Sequence, residues 1–115
     1  MILRVALLLL VLASRADALE KMYQKEWCDA VGGQMEVVLD DGARVDCLTR
    51  HYAVEFDYAH KWAEGIGQAL YYGIKTGRKP AVVLIVGPND NAYIKRFKAV
   101  AKKYKIMLWK VEVDE

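Results

Sequence analysis

Hydrophobic and polar positions along the chain change period twice. Over residues 34–39 Met35, Val37 and Leu39 alternate with Gln34, Glu36 and Val38, the two-residue repeat of a half-buried strand. Asp40-Asp41-Gly42 follows, and Asp-Gly suits the positive φ of a tight hairpin turn. Residues 44–48 return antiparallel, Thr49-Arg50-His51 turns again, and residues 52–56 form a third strand, completing a meander. The repeat then lengthens. A turn at Asp57 or Tyr58 leads into a helix with Trp62, Ile66, Ala69, Leu70 and Gly73 on one side, ending at Gly77. Gly65 and Gly67 weaken that helix, a cost tolerated where backbone packs closely on a sheet.

Residues 81–86 are continuously apolar and β-branched, the pattern of a strand covered on both faces. Gly87-Pro88-Asn89-Asp90 turns the chain into an amphipathic helix over residues 91–104. Ile94, Phe97, Val100 and Ala101 face inward there, and Lys95, Arg96, Lys98, Lys102 and Lys103 outward. A last strand covers residues 106–111, before an acidic tail. Ahead of the meander, residues 19–30 read as a short helix with Met22, Trp27 and Ala30 inward, stopped by Gly32-Gly33. The order α-β-β-β-α-β-α-β predicts an α/β fold, a mixed sheet flanked by helices on both faces, in a single domain over residues 19–115.

Residues 1–18 are set apart from that domain. One basic residue, Arg4, precedes an apolar run over residues 5–13, and Ala16-Asp17-Ala18 supplies a small-x-small site. This is the layout of a secretory signal peptide cleaved after Ala18, and it predicts an exported protein, periplasmic or secreted, with no stable membrane association after cleavage. The formal net charge of +2 becomes +1 once Arg4, Arg15 and Asp17 are removed. Bulk charge therefore makes no case for nucleic-acid binding, which must rest on local patches such as the lysine-rich helix. Cys28 and Cys47 read equally well as an exported protein's disulfide or as two buried thiols. With only His51 and His60 to join them, they match no zinc spacing.

Candidate chemistry lies in two acids. Asp46 and Glu55 sit inside otherwise apolar strands, against binary patterning. By alternation Asp46 shares a face with Arg44 and Leu48, and Glu55 with Ala53 and Asp57. Across a short turn the two carboxylates can approach, and such a pair needs a proton or a cation between its members. Mg²⁺, held by one or two carboxylates, a backbone carbonyl and waters, is a natural occupant. It can hold a scissile phosphate and acidify a water.

These residues, in this order, resemble the PD-(D/E)XK nuclease superfamily, the restriction-endonuclease-like and Holliday-junction-resolvase-like proteins. Its α-β-β-β-α-β core carries an acid on the second strand, Glu-x-Lys on the third, often a Glu on the first helix and sometimes a Gln on the next. Asp46 matches the first acid, Glu55 the Glu of Glu-x-Lys, and Glu26 is the candidate helical Glu; Gln68 begins a Gln-x-x-x-Tyr pattern with Tyr72. The resemblance covers about residues 20–86 and leaves an added αβ unit. It implies DNA as partner and substrate, Mg²⁺ or Mn²⁺ on Asp46, Glu55 and Glu26, and catalytic roles for Asp46, Glu55, Lys61 and Gln68. Asp57 stands where the family has its lysine, and Lys61, one helical turn on, takes that role in this reading. The alternative is a catalytically inactive exported binding domain that retains the fold.

Overall fold

The computed structural model describes the backbone of residues 2–113 and the side chains of residues 15–113. The apolar run of the expected signal peptide lies outside the described side chains, and Asp114 and Glu115 of the acidic tail lie outside the described residues. Within these limits the chain forms helix α1 (Ile2–Ala30), strands β1 (Gln34–Val38), β2 (Arg44–Leu48) and β3 (Tyr52–Tyr58), a 3₁₀ turn (Ala59–Lys61), helix α2 (Trp62–Thr76), strand β4 (Lys79–Val86), helix α3 (Asn91–Tyr104) and strand β5 (Met107–Glu112). Among the described residues no helix is long and apolar enough to cross a membrane.

The five strands lie side by side in chain order. β1–β2 and β2–β3 are antiparallel, and β3–β4 and β4–β5 are parallel. Hairpin turns serve the first two junctions, and α2 and α3 are the crossovers that parallel neighbours require. The compact α/β architecture and its mixed sheet are therefore as the patterning predicts.

β4 shows why both faces are covered. Ala81 and Val83 pack with Trp27 and Cys28 of α1, together with Val54 and Phe56. Val82, Leu84 and Val86 pack on the other side with Ile66 and Ala69 of α2 and Phe97 and Ala101 of α3. A strand enclosed this way has no polar face to show, hence its unbroken apolar run.

Two local expectations are corrected. In α1 the inward residues are Tyr23, Gln24 and Cys28 with Trp27 half-buried, whereas Met22 and Ala30 are exposed. The disulfide between Cys28 and Cys47 fixes that rotation, with its Cα atoms 5.9 Å apart. Gly33 lies against it: a Cβ there would meet the two sulfurs at 2.5 and 2.8 Å. Third-strand pairing runs past Phe56, so Asp57 is a buried strand residue opposite Leu84 instead of a turn residue.

Strict alternation also fails in the hairpin. Met35 and Cys47 pack on the α1 side, yet Val37 and Val45, two residues away on each strand, pack with Ala53 and Tyr72 on the α2 side. The switch falls at the facing pair Glu36 and Asp46, where Glu36 adopts φ +53°. A left-handed non-glycine residue costs on the order of 1–2 kcal/mol and re-aims the strand beyond it. Gln24 holds the kink, its buried Nε2 donating to Glu36 Oε1 at 3.1 Å and to the Asp46 carbonyl at 2.9 Å.

A candidate acidic site where two strands part

β2 and β3 are paired at Cys47–Val54 and Leu48–Ala53, and the ladder goes no further towards Asp46. Beyond that point the Asp46 side chain replaces the missing backbone acceptor, its Oδ2 taking the Phe56 N–H at 2.8 Å. The hairpin kink thus opens a gap between two strands and puts a carboxylate in it.

Glu55 enters the gap from β3. It lies opposite Val82 in the parallel register, so its side chain belongs to the face covered by α2. The residue is only 6% exposed, and among the described residues its Oε2 is sealed from solvent with no hydrogen-bond donor. The Asp46 and Glu55 carboxyls are in hydrogen-bonding contact, which demands a proton between them when no cation is present. Burial, then the adjacent Asp46, raises the Glu55 carboxyl far above the carboxylate range. Burial also raises Asp46, although its bonds to Glu55 and to the Phe56 N–H oppose the shift. As a pair the two hold one proton through neutral pH.

A second group of charges surrounds the first. Asp57 is pushed up to about 7, by burial first and then by Glu20 and Glu64, with Lys61 opposing. Glu20 is raised by burial and by Asp46, again against Lys61. α2 approaches Asp57 closely at Gly65, where a Cβ would lie 3.4 Å from the Asp57 Cβ. Tyr72 is pushed up to about 12 by burial and by the Glu55 and Asp46 charges, placing its phenol beside the pair.

Of the residues selected from the sequence, Asp46 and Glu55 are brought together. Lys61 is exposed at the end of the 3₁₀ turn, within electrostatic reach of Glu20 and Asp57. Gln68 is half-buried one helical turn before Tyr72, on the same side of α2. Glu26 is exposed on α1, and the α1 carboxylate that Asp46, Glu55 and Asp57 adjoin is Glu20. Six residues separate the two glutamates, which places them on different sides of a helix. Glu20 begins the series Glu20, Tyr23, Gln24, Trp27, Cys28, an i, i+3, i+4, i+7, i+8 spacing whose last four members turn inward. Tyr72 is legible as the end of the Gln-x-x-x-Tyr pattern, whereas Gln24 is not, since a buried polar side chain in an amphipathic helix looks like an ordinary member of the polar face.

Among the described residues no three carboxylate, thiolate or imidazole groups converge into a ready-made metal cage. The residues present fit a smaller requirement: a buried carboxyl with an orphaned oxygen, Glu55, adjoining the half-buried carboxyl of Asp46. Mg²⁺ commonly binds through one or two carboxylates and takes its other ligands from water and substrate phosphate. No protein family, curated protein or solved structure matches this chain.

Proposed function

We propose that the Asp46–Glu55 pair takes up a divalent cation, Mg²⁺ or Mn²⁺, and that the protein is a metal-dependent nuclease of the PD-(D/E)XK type hydrolysing DNA phosphodiesters. The observation that carries this is the orphaned Glu55 Oε2, sealed from solvent in a carboxyl that adjoins Asp46. A cation replacing the shared proton would satisfy that oxygen and discharge the repulsion between the carboxylates. When bound, it would polarise a phosphoryl oxygen and offset charge developing there.

The chain's own residues supply the rest. Asp46 and Glu55 hold the cation, and Glu20, in place of Glu26, is the α1 carboxylate near enough to join through water. Asp57, buried on the same face of β3 as Glu55, is the carboxylate placed to accept a proton from an attacking water. Lys61 provides the positive charge that Asp57 cannot, set against the substrate phosphate from the mouth of the site. Gln68 can donate its amide to a phosphate oxygen or orient the water. The α-β-β-β-α-β order supports the restriction-endonuclease-like reading of the fold. The exposed Lys95, Arg96, Lys98 and Lys102 of α3 support contact with a nucleic-acid backbone. The Cys28–Cys47 disulfide supports export to an oxidising compartment.

Asp57 in the lysine position favours the second reading, an exported binding domain without catalysis. DNA cleavage in Mg²⁺ or Mn²⁺, lost in EDTA and in both Asp46→Ala and Glu55→Ala, is the result expected of the nuclease. Absence of cleavage together with absence of metal binding by calorimetry would leave the binding domain.

A further inference from the structure

A second concavity lies on the opposite face of the sheet. Trp27 of α1, Tyr52 at the start of β3 and Trp109 of β5 line a pocket of about 310 Å³, with Arg50 and His51 at its rim. That volume is at the lower end of the range for small-molecule sites. Trp109 is the centre of the aromatic group, its ring centroid 5.2 Å from both Trp27 and Tyr52. All three rings are half-buried, so each keeps surface towards the pocket.

The rim is firmly held. Thr49 N–H donates to the Tyr52 carbonyl at 2.9 Å, Tyr52 N–H to Thr49 Oγ1 at 3.0 Å, and Lys79 N–H to the His51 carbonyl at 3.0 Å. Arg78 also donates to the Thr49 carbonyl. This fixes the backbone that carries Arg50 and His51, while their side chains are exposed and make no hydrogen bond or ion pair among the described residues. No carboxylate lines the pocket. An apolar aromatic floor with an unneutralised guanidinium beside it is complementary to a flat ring bearing an anionic group. A ring stacked on aromatic side chains contributes about 1–3 kcal/mol, and arginine is the cation best shaped for a phosphate.

We propose that this pocket binds a nucleoside monophosphate, its base against Trp27 and Trp109 and its phosphate on Arg50 and His51. Tyr52 and Glu55 are three residues apart on β3 and point to opposite faces, so the pocket is separate from the acidic site by about 10 Å along the strand. The proposal does not depend on metal or on catalysis.

Calorimetric titration of the full chain in EDTA with deoxyadenosine monophosphate, deoxyadenosine and inorganic phosphate tests it. Saturable binding of the monophosphate is expected, at least tenfold tighter than either fragment, with at least a tenfold loss in Arg50→Ala. Arg50 is exposed, so that variant should keep the wild-type circular dichroism and melting temperature. Absence of saturable binding at millimolar nucleotide overturns the proposal. So does equal affinity for the nucleoside or for phosphate, or unchanged affinity in Arg50→Ala. Because cation is absent, failure here leaves the acidic site untouched, and loss of DNA cleavage in Asp46→Ala leaves this pocket untouched.

Discussion

Glu55→Gln separates a buried acid that is merely tolerated from one that serves a cation. In the unfolded chain Glu55 ionises around its ordinary value of 4.5, whereas in the folded protein burial and Asp46 keep it protonated well past neutrality. A carboxyl raised on folding contributes its full stability below the unfolded value, and that contribution is lost as pH rises towards the folded value. Between pH 4.5 and 7 the folded state binds the extra proton, at about 1.4 kcal/mol per pH unit. The cost of keeping Glu55 buried at pH 7 is then about 3 kcal/mol at most, reduced by whatever the shared proton returns through Asp46. Glutamine has the same shape, carries no charge and can donate its amide to Asp46. In EDTA at pH 7 Glu55→Gln should therefore be more stable than wild type by about 1–3 kcal/mol, with a flatter dependence of melting temperature on pH. Added Mg²⁺ should narrow that difference. At ten times its dissociation constant a cation stabilises a protein that binds it only when folded by about 1.4 kcal/mol. That is a rise of several degrees in melting temperature for a chain of this size. Wild type should show this rise and Glu55→Gln should not. Thermal unfolding followed by circular dichroism, at pH 5, 7 and 8 with and without Mg²⁺, reads all of it. Destabilisation by glutamine in EDTA, or an equal Mg²⁺ response in both proteins, would refute the reasoning.

Asp57→Asn should remove a separate pH-dependent loss of stability between about pH 4 and 7, because a carboxyl raised from 3.8 to about 7 stabilises the folded state only while protonated; urea unfolding at pH 4.5 and 8 checks the sign. Replacing Cys28 and Cys47 together by alanine should cost about 3 kcal/mol, the loop-closure contribution for a separation of 19 residues. Gly33→Ala should cost about 1–3 kcal/mol by pressing a methyl group into that disulfide. Most of the cost should vanish in the cysteine-free background, a coupling that denaturation of the combined variant measures. Gln24→Ala strips two hydrogen bonds from the kink at Glu36 and Asp46 and should cost about 1–3 kcal/mol; if the kink shapes the site, metal affinity falls in the same variant.

The periodic parts of this chain were legible because each buries a simple surface. β4 is apolar throughout because both its faces are covered, and α3 segregates lysines from Phe97 and Ala101 because it packs on one side. Gly77 ends α2 with φ +69°, as its position suggested. The hairpin kink was not legible: Glu36 and Asp46 look like ordinary outward residues of alternating strands, and their displacement comes from Gln24 on a distant helix. The face of α1 could not be fixed from Met22, Trp27 and Ala30 alone, because the disulfide to Cys47 sets its rotation. For the candidate site, the strand positions of Asp46 and Glu55 were readable, and their convergence depends on β2 parting from β3, which no local pattern encodes. The inward spacing from Glu20 to Cys28 is present in the sequence and points to Glu20, not Glu26, as the α1 carboxylate of the site.

The claim that Asp46 and Glu55 form a cation site is tested most directly by anomalous diffraction from crystals grown in Mn²⁺ near neutral pH. The account predicts a manganese peak between the two carboxyls, within bonding distance of Glu55 Oε2 and of an Asp46 oxygen. Density with no such peak, and the two carboxyls still in proton-sharing contact at millimolar Mn²⁺, would contradict it.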